Sequence, residues 1–140
     1  MSKELIDGLN QSLQLEIMAI IMYLNHSYMV FGPNRKAMSD TLKGIARQEM
    51  NHMETLSKRI VGLGGVPTVK YPQINQTDRI EEMLKNDINA EKGGIERYKR
   101  NRELAEREGD LPTVNMLDTI IQQEQEHLDE FNNMMKHNPL

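Results

Sequence analysis

The chain has 140 residues, 27% charged and 38% hydrophobic, with 9 Gly, 5 Pro and a formal charge of -4, a balance that fits one folded domain over 1–140 and excludes disordered and fibrous classes. It contains no Cys, which removes disulfides, Cys-ligated zinc, iron–sulfur clusters and thiol catalysis. The mild acidity argues against nucleic acid as a partner; the longest apolar run, Ile17 to Leu24, is too short to cross a membrane, and Met1-Ser2-Lys3-Glu4 lacks a signal-peptide pattern, so a cytoplasmic location is expected.

Pro and Gly punctuate the chain at Gly32-Pro33, between Gly62 and Pro72, and from Gly109 to Pro112. Four segments remain, about 3–30, 35–62, 77–108 and 112–136, rich in Glu, Lys, Arg, Gln, Met and Leu and without β-branched alternation. Each reads as a helix, roughly 35–45 Å long at 1.5 Å per residue. The first and third connections are too short for anything but antiparallel neighbours, and the long middle link ends at Thr77, a candidate N-cap for the third helix. The expected fold is all-α: two antiparallel helix hairpins joined by a long crossover, the ferritin-like four-helix connectivity.

The first helix carries Glu16 and the second carries Gln48-Glu49-Met50-Asn51-His52; the third carries Glu91 and the fourth Gln123-Glu124-Gln125-Glu126-His127. Glu16 precedes Glu49 by 33 residues and Glu91 precedes Glu124 by the same 33, while Tyr23 and Tyr98 each follow their glutamate by seven. The second half therefore repeats the first. Residues three apart share a helix face, so Glu49 pairs with His52 and Glu124 with His127. The midpoint of Glu16 and Glu49 falls in the Gly32-Pro33 turn and that of Glu91 and Glu124 falls beside Gly109, which sets each pair at equal height in its hairpin.

Packing the hairpins together gathers four carboxylates and two imidazoles on or beside the apolar stripes. Leu9, Leu13, Ile20 and Tyr23 flank Glu16; Leu42, Ile45, Leu56 and Ile60 flank Glu49; Leu84, Ile88 and Ile95 flank Glu91; and Leu117, Ile120, Ile121 and Phe131 flank Glu124 and His127. Buried carboxylates at this density demand countercharge. Two divalent cations supply it, and an O/N donor set without sulfur suits iron or manganese, with zinc and cobalt as further occupants. Glu126, one residue from His127 and so turned about 100° away, is assigned to the outer face, and Glu130 is set aside. His26 and His137 lack the spacing and read as surface residues, and Gly93-Gly94 inside the third helix reads as close helix packing.

Glu16, Glu49-x-x-His52, Glu91 and Glu124-x-x-His127 resemble the ferroxidase centre of bacterioferritins, over about residues 3–136. Classical ferritins usually lack the second Glu-x-x-His, and rubrerythrins normally add a Cys-rich iron domain that this chain lacks. The resemblance implies a di-iron centre in which Glu49 and Glu124 bridge, Glu16 with His52 and Glu91 with His127 each hold one iron, and Tyr23 is the near-site tyrosine. It implies oxidation of Fe(II) to Fe(III) by O2 or H2O2, followed by storage of the ferric iron. The family also binds haem between two subunits through a methionine directly after a bridging glutamate, and Met50 stands there. Its outward position among Lys43, Ala46, Arg47 and Glu54, with a further apolar stripe of Ile17, Ile21 and Leu24 on the first helix, suits an interface that takes haem or a related iron porphyrin, Lys43 and Arg47 meeting the propionates. The family's short fifth helix has no counterpart in Lys136 to Leu140, which points to a homo-oligomer smaller than the family's shell of twenty-four: a shell of twelve built from dimers, or merely a dimer. Two other readings compete: a di-iron or di-manganese redox enzyme, peroxidase or catalase-like, that turns over without storing iron, and a structural metal site inside an oligomeric bundle.

Overall fold

Ser2 opens the first helix by accepting a hydrogen bond from the Leu5 amide on its hydroxyl at 3.2 Å, which satisfies one of the free N–H groups of the first turn. From there the chain, described over residues 2–136 in a computed structural model, forms α1 (Lys3–Met29), α2 (Arg35–Gly62), α3 (Ile80–Arg107) and α4 (Leu111–Met135). Gly32 and Gly109 take φ of 93° and 72° in the two tight turns, a region where a side chain would clash with its own carbonyl. Asp110 caps α4 by accepting from the Thr113 amide, and it also pairs with Arg59 on α2. Thr77 is not the cap of α3. That helix begins at Ile80 with Arg79 in the N-cap position and no side-chain cap bond; Thr77 instead accepts from the Arg79 amide and donates to Glu82. It fastens the approach to the helix one turn early.

α1 packs along α2 and α3 along α4, and the hairpins join chiefly through α1 against α3. Cross-helix bonds give the directions. Asn101 donates to Gly8 and Ser12 near the start of α1, whereas Tyr23 reaches Glu91 further along, so α1 and α3 are antiparallel. Arg59 meets Thr113 while Gln48 meets His127, so α2 and α4 are antiparallel too. The crossover starts beside α1, where the Asn10 side chain bonds Val66 and Thr68, and later runs past Met18 and Met22 to reach the far end of the bundle.

The apolar core comes in two parts. One surrounds Leu9, Leu13, Leu56, Ile60, Tyr98 and Leu117; the other surrounds Met22, Tyr23, Leu42, Met83 and Phe131. Ala19 takes the core position beside Glu16 and leaves Ile20 half-buried, and Ile88 and Ile121 are likewise half-buried. Between the two parts lies a polar layer.

Candidate metal centre

That layer is built by the helical repeat. Glu16, Glu49, His52, Glu91, Glu124 and His127 are all buried, each on the inward stripe of its helix. Their ligand atoms form two quartets in which every atom lies within 4.8 Å of the others: Glu16, Glu49, His52 and Glu124, and Glu49, Glu91, Glu124 and His127. Glu49 and Glu124 belong to both. The structure thus brings together every residue that the repeat singles out, and it sets one glutamate from each Glu-x-x-His block in the shared position.

Both rings turn Nδ1 inward. His52 Nδ1–H donates to Glu16 Oε2 and to Glu124 Oε1, each at 2.8 Å, and lies 3.2 Å from Glu49 Oε1. His127 Nδ1 lies 3.2 Å from Glu49 Oε1 and 3.5 Å from Glu91 Oε1. The ring centroids are 6.1 Å apart. Tyr23 donates to Glu91 Oε1 at 2.8 Å, which makes it the tyrosine beside the centre.

Without cations the crowded acids of the layer hold on to their protons. Burial, then the neighbouring Glu49, pushes Glu16 from 4.5 up to about 8. Burial raises Glu49 although the His52 hydrogen bond opposes it, and it raises Glu91 and Glu124 well above the usual carboxylate range, helped by the mutual crowding of the four acids. Burial alone would lower His52, but its hydrogen bonds with Glu124, Glu16 and Glu49 outweigh that and hold it protonated. Glu49 Oε1, Glu91 Oε2 and His127 Nδ1 are buried without a hydrogen-bond partner. Unpartnered lone pairs facing one another, in a set of four carboxylates and two imidazoles, are what two divalent cations would satisfy. The residues fit a dinuclear site with oxygen and nitrogen donors.

Met50 stands outside this layer. It is 36% exposed and lines an apolar groove of about 670 Å³ with Leu13, Ile17, Met53 and the crossover residues Pro67 to Val69. Ala46, expected beside it, is fully buried in the core, and Lys43 lies over the Tyr28 ring, 6.0 Å from its centroid. Glu126 and Glu130 are exposed, as their helical phase requires.

His26 is a correction. Expected at the surface, it is only 1% exposed, with Nδ1 2.8 Å from Asp87 Oδ1. The stripe through Glu16, Ala19 and Tyr23 continues to His26 and Val30, and Asp87 sits one helical turn before Glu91 on α3. Burial, offset in part by His26, lifts Asp87 to about 6. His137 lies outside the described residues. The packing account of Gly93-Gly94 fails for Gly93, which is exposed and where an added Cβ would meet nothing within 4 Å; at Gly94 it would come 3.9 Å from Glu124 Oε2. Tyr98, fully buried with its hydroxyl unpartnered, and the glutamines of the two blocks complete the surroundings.

The ferritin-like domain family matches residues 6–139. A bacterioferritin of Desulfovibrio desulfuricans is 30% identical over 135 residues, which are 96% of this chain and 75% of that protein. A bacterioferritin of Brucella melitensis biotype 1 is 30% identical over 131 residues, covering 90% of this chain and 79% of its own. Among solved structures, one of ferritin-like, diiron-carboxylate proteins from Bacillus anthracis str. Ames superposes with a TM-score of 0.94 at 32% identity, covering 97% of this chain and 100% of that one.

Proposed function

The chain belongs to the ferritin-like family, and on that premise we propose that it is a bacterioferritin-like iron-storage and detoxification protein of the cytoplasm that oxidises Fe(II) to Fe(III) within each bundle. The observation that carries this is the pair of overlapping quartets that share Glu49 and Glu124. Iron is the substrate. Two Fe(II) give up two electrons together, which reduce O2 to H2O2 or H2O2 to water, so a site for two ions side by side matches the electron count of either oxidant.

The chain's own residues prepare that event. Glu49 and Glu124 would each span both positions; Glu16 with His52 would complete one and Glu91 with His127 the other. The protons held by the crowded carboxyls and by His52 leave as cations enter, so the four negative charges needed to hold two divalent ions form only when the ions arrive. Hard carboxylate oxygens favour the ferric product, and two imidazoles in place of further acids leave room for the oxidant. Tyr23 fixes the rotamer of Glu91 through its hydrogen bond. The two apolar core halves keep water from entering along the bundle axis.

The groove at Met50 supports a second part of the proposal. Met50 offers a thioether on an apolar wall of α1 and α2, and a second copy of the chain facing it would form a slot for haem or a related porphyrin, with Met50 as ligand. Such a dimer is the proposed unit of a larger shell, of twelve subunits in our reading.

Aerobic addition of Fe(II) to metal-free protein, well beyond two per chain, followed by gel filtration with iron and protein measured in each fraction, tests the storage reading. Iron eluting with a particle much larger than a dimer, far above two per chain, is expected. Uptake that stops near two per chain would overturn storage in favour of a di-iron or di-manganese redox enzyme, and a redox-inert occupant without oxidase activity would point to a structural metal.

A further inference from the structure

Each Glu-x-x-His block begins with a glutamine. Gln48 and Gln123 stand one residue before the two shared glutamates, turned about 100° from them on their helices, and neither belongs to the quartets. Both nevertheless reach the centre's edge. Gln123 Oε1 on α4 accepts from His52 Nε2 on α2 at 2.7 Å, and Gln48 Oε1 on α2 accepts from His127 Nε2 on α4. The bonds are reciprocal across the seam where α2 faces α4. An open cleft of about 380 Å³ runs along this seam, with Gln48, Asn51, Thr55, Thr119 and Gln123 on its walls and the His52 ring at its base.

We propose that Gln48 and Gln123 are positioning residues for the metal centre, each clamping the outer ring nitrogen of the histidine on the facing helix so that Nδ1 points at the metal position. The proposal rests on the reading of the six residues as a dinuclear site. An imidazole that binds a metal through Nδ1 must carry its proton on Nε2, and a hydrogen-bond acceptor at Nε2 selects that tautomer and stops the ring from turning about its χ2 axis. At this seam water would otherwise take the acceptor's place, since the cleft opens on the His52 edge. The neutral amide matters as well. Four carboxylates and two divalent cations already cancel, so an amide holds the rings without adding charge, where an acid would add a net negative charge beside the centre.

The clamps work in trans, and this makes the two halves of the site separable. Gln123 serves the Glu16–His52 half although it sits on the helix that carries His127, and Gln48 serves the Glu91–His127 half from the helix that carries His52. A substitution at one glutamine should weaken the metal position nearer the other helix's histidine and leave the second position almost unchanged.

Equilibrium titration of the full metal-free chain with Co(II), read by visible absorption and calorimetry without oxidant, tests this for Gln123→Leu, Gln48→Leu and Gln123→Glu. The unaltered chain should take two Co(II). In Gln123→Leu, and separately in Gln48→Leu, one of the two should bind about 10–100-fold more weakly, with the melting temperature of the metal-free protein little changed. Gln123→Glu, which keeps an acceptor, should restore the lost affinity, and Gln125→Leu, on the exposed face of the same helix, should leave both ions as before. Two Co(II) bound with unchanged affinity in both leucine variants would overturn the clamps alone. Fewer than two bound by the unaltered chain would overturn the dinuclear reading together with them.

Discussion

Metal-free protein should lose stability as the pH rises through neutrality, and metal should reverse the trend. Unfolded, Glu16 gives up its proton near 4.5; folded and buried beside Glu49, it keeps it up to about 8. Between those values the native state binds more protons than the unfolded chain, so each pH unit costs about 1.4 kcal/mol for every proton retained. From pH 5.5 to 7.5 one retained proton therefore removes about 3 kcal/mol, a large share of the ~5–15 kcal/mol that holds a domain of this kind. Glu49, Glu91 and Glu124 move in the same direction, and Asp87, raised to about 6 by burial, adds to the early part of the slope. His52 acts in the same sense: its stabilisation is complete below 6.5 and fades as the pH climbs towards its raised folded value. Urea unfolding of chelator-treated protein, followed by circular dichroism at fixed protein concentration and pH 5.5, 6.5 and 7.5, measures the slope. The midpoint should fall at each step. Co(II) held at one concentration, about 100 times its Kd at pH 5.5, should add ~2.7 kcal/mol per site there, and more at pH 7.5 because fewer protons then have to be displaced and the Kd is lower. A metal-free midpoint that failed to fall with pH would refute the reasoning, since carboxyls already ionised in the native layer would bind no more protons than the unfolded chain does and would leave the slope flat.

Glu49→Gln and Glu124→Gln should each abolish rapid Fe(II) oxidation in stopped-flow absorbance while helix content stays unchanged, because each removes a carboxylate common to both quartets; oxidation at the original rate would remove those residues from the site. Met50→Leu should eliminate absorbance from added haem yet spare initial Fe(II) oxidation, and an unchanged haem spectrum would show that Met50 is not its ligand. Asn101→Leu strips the donor to Gly8 and Ser12 in a fully buried position and should cost about 1–3 kcal/mol in denaturant titration; a neutral result would show that the two acceptors find other partners. Gly93→Ala should stabilise the chain by up to about 1 kcal/mol through helix propensity, because a Cβ there meets nothing within 4 Å. A fall in stability would reveal a neighbouring subunit packed on that face.

What was legible in the amino-acid sequence follows from periodicity and symmetry. A helix repeats every 3.6 residues, so Glu49 with His52 and Glu124 with His127 are paired faces before any tertiary contact is known. A tight turn reflects one helix onto the next, so Glu16 lies opposite Glu49 and Glu91 opposite Glu124. The same arithmetic continued along α1 reaches His26, which lacks the Glu-x-x-His spacing and for that reason reads as a surface residue. Its partner, Asp87, comes from the other hairpin.

The tertiary structure decided everything that depends on how the hairpins are set against each other. Which glutamates fall into both quartets, that Tyr23 reaches Glu91 rather than Glu16, and that each glutamine grips the histidine of the facing helix all require α1 against α3 and α2 against α4. Side-chain spacing determines a face only within one helix or across one short turn. The crossover between residues 62 and 80 is long enough for more than one docking of the second hairpin, and it was the burial of the two core halves on either side of the acidic layer that selected this one.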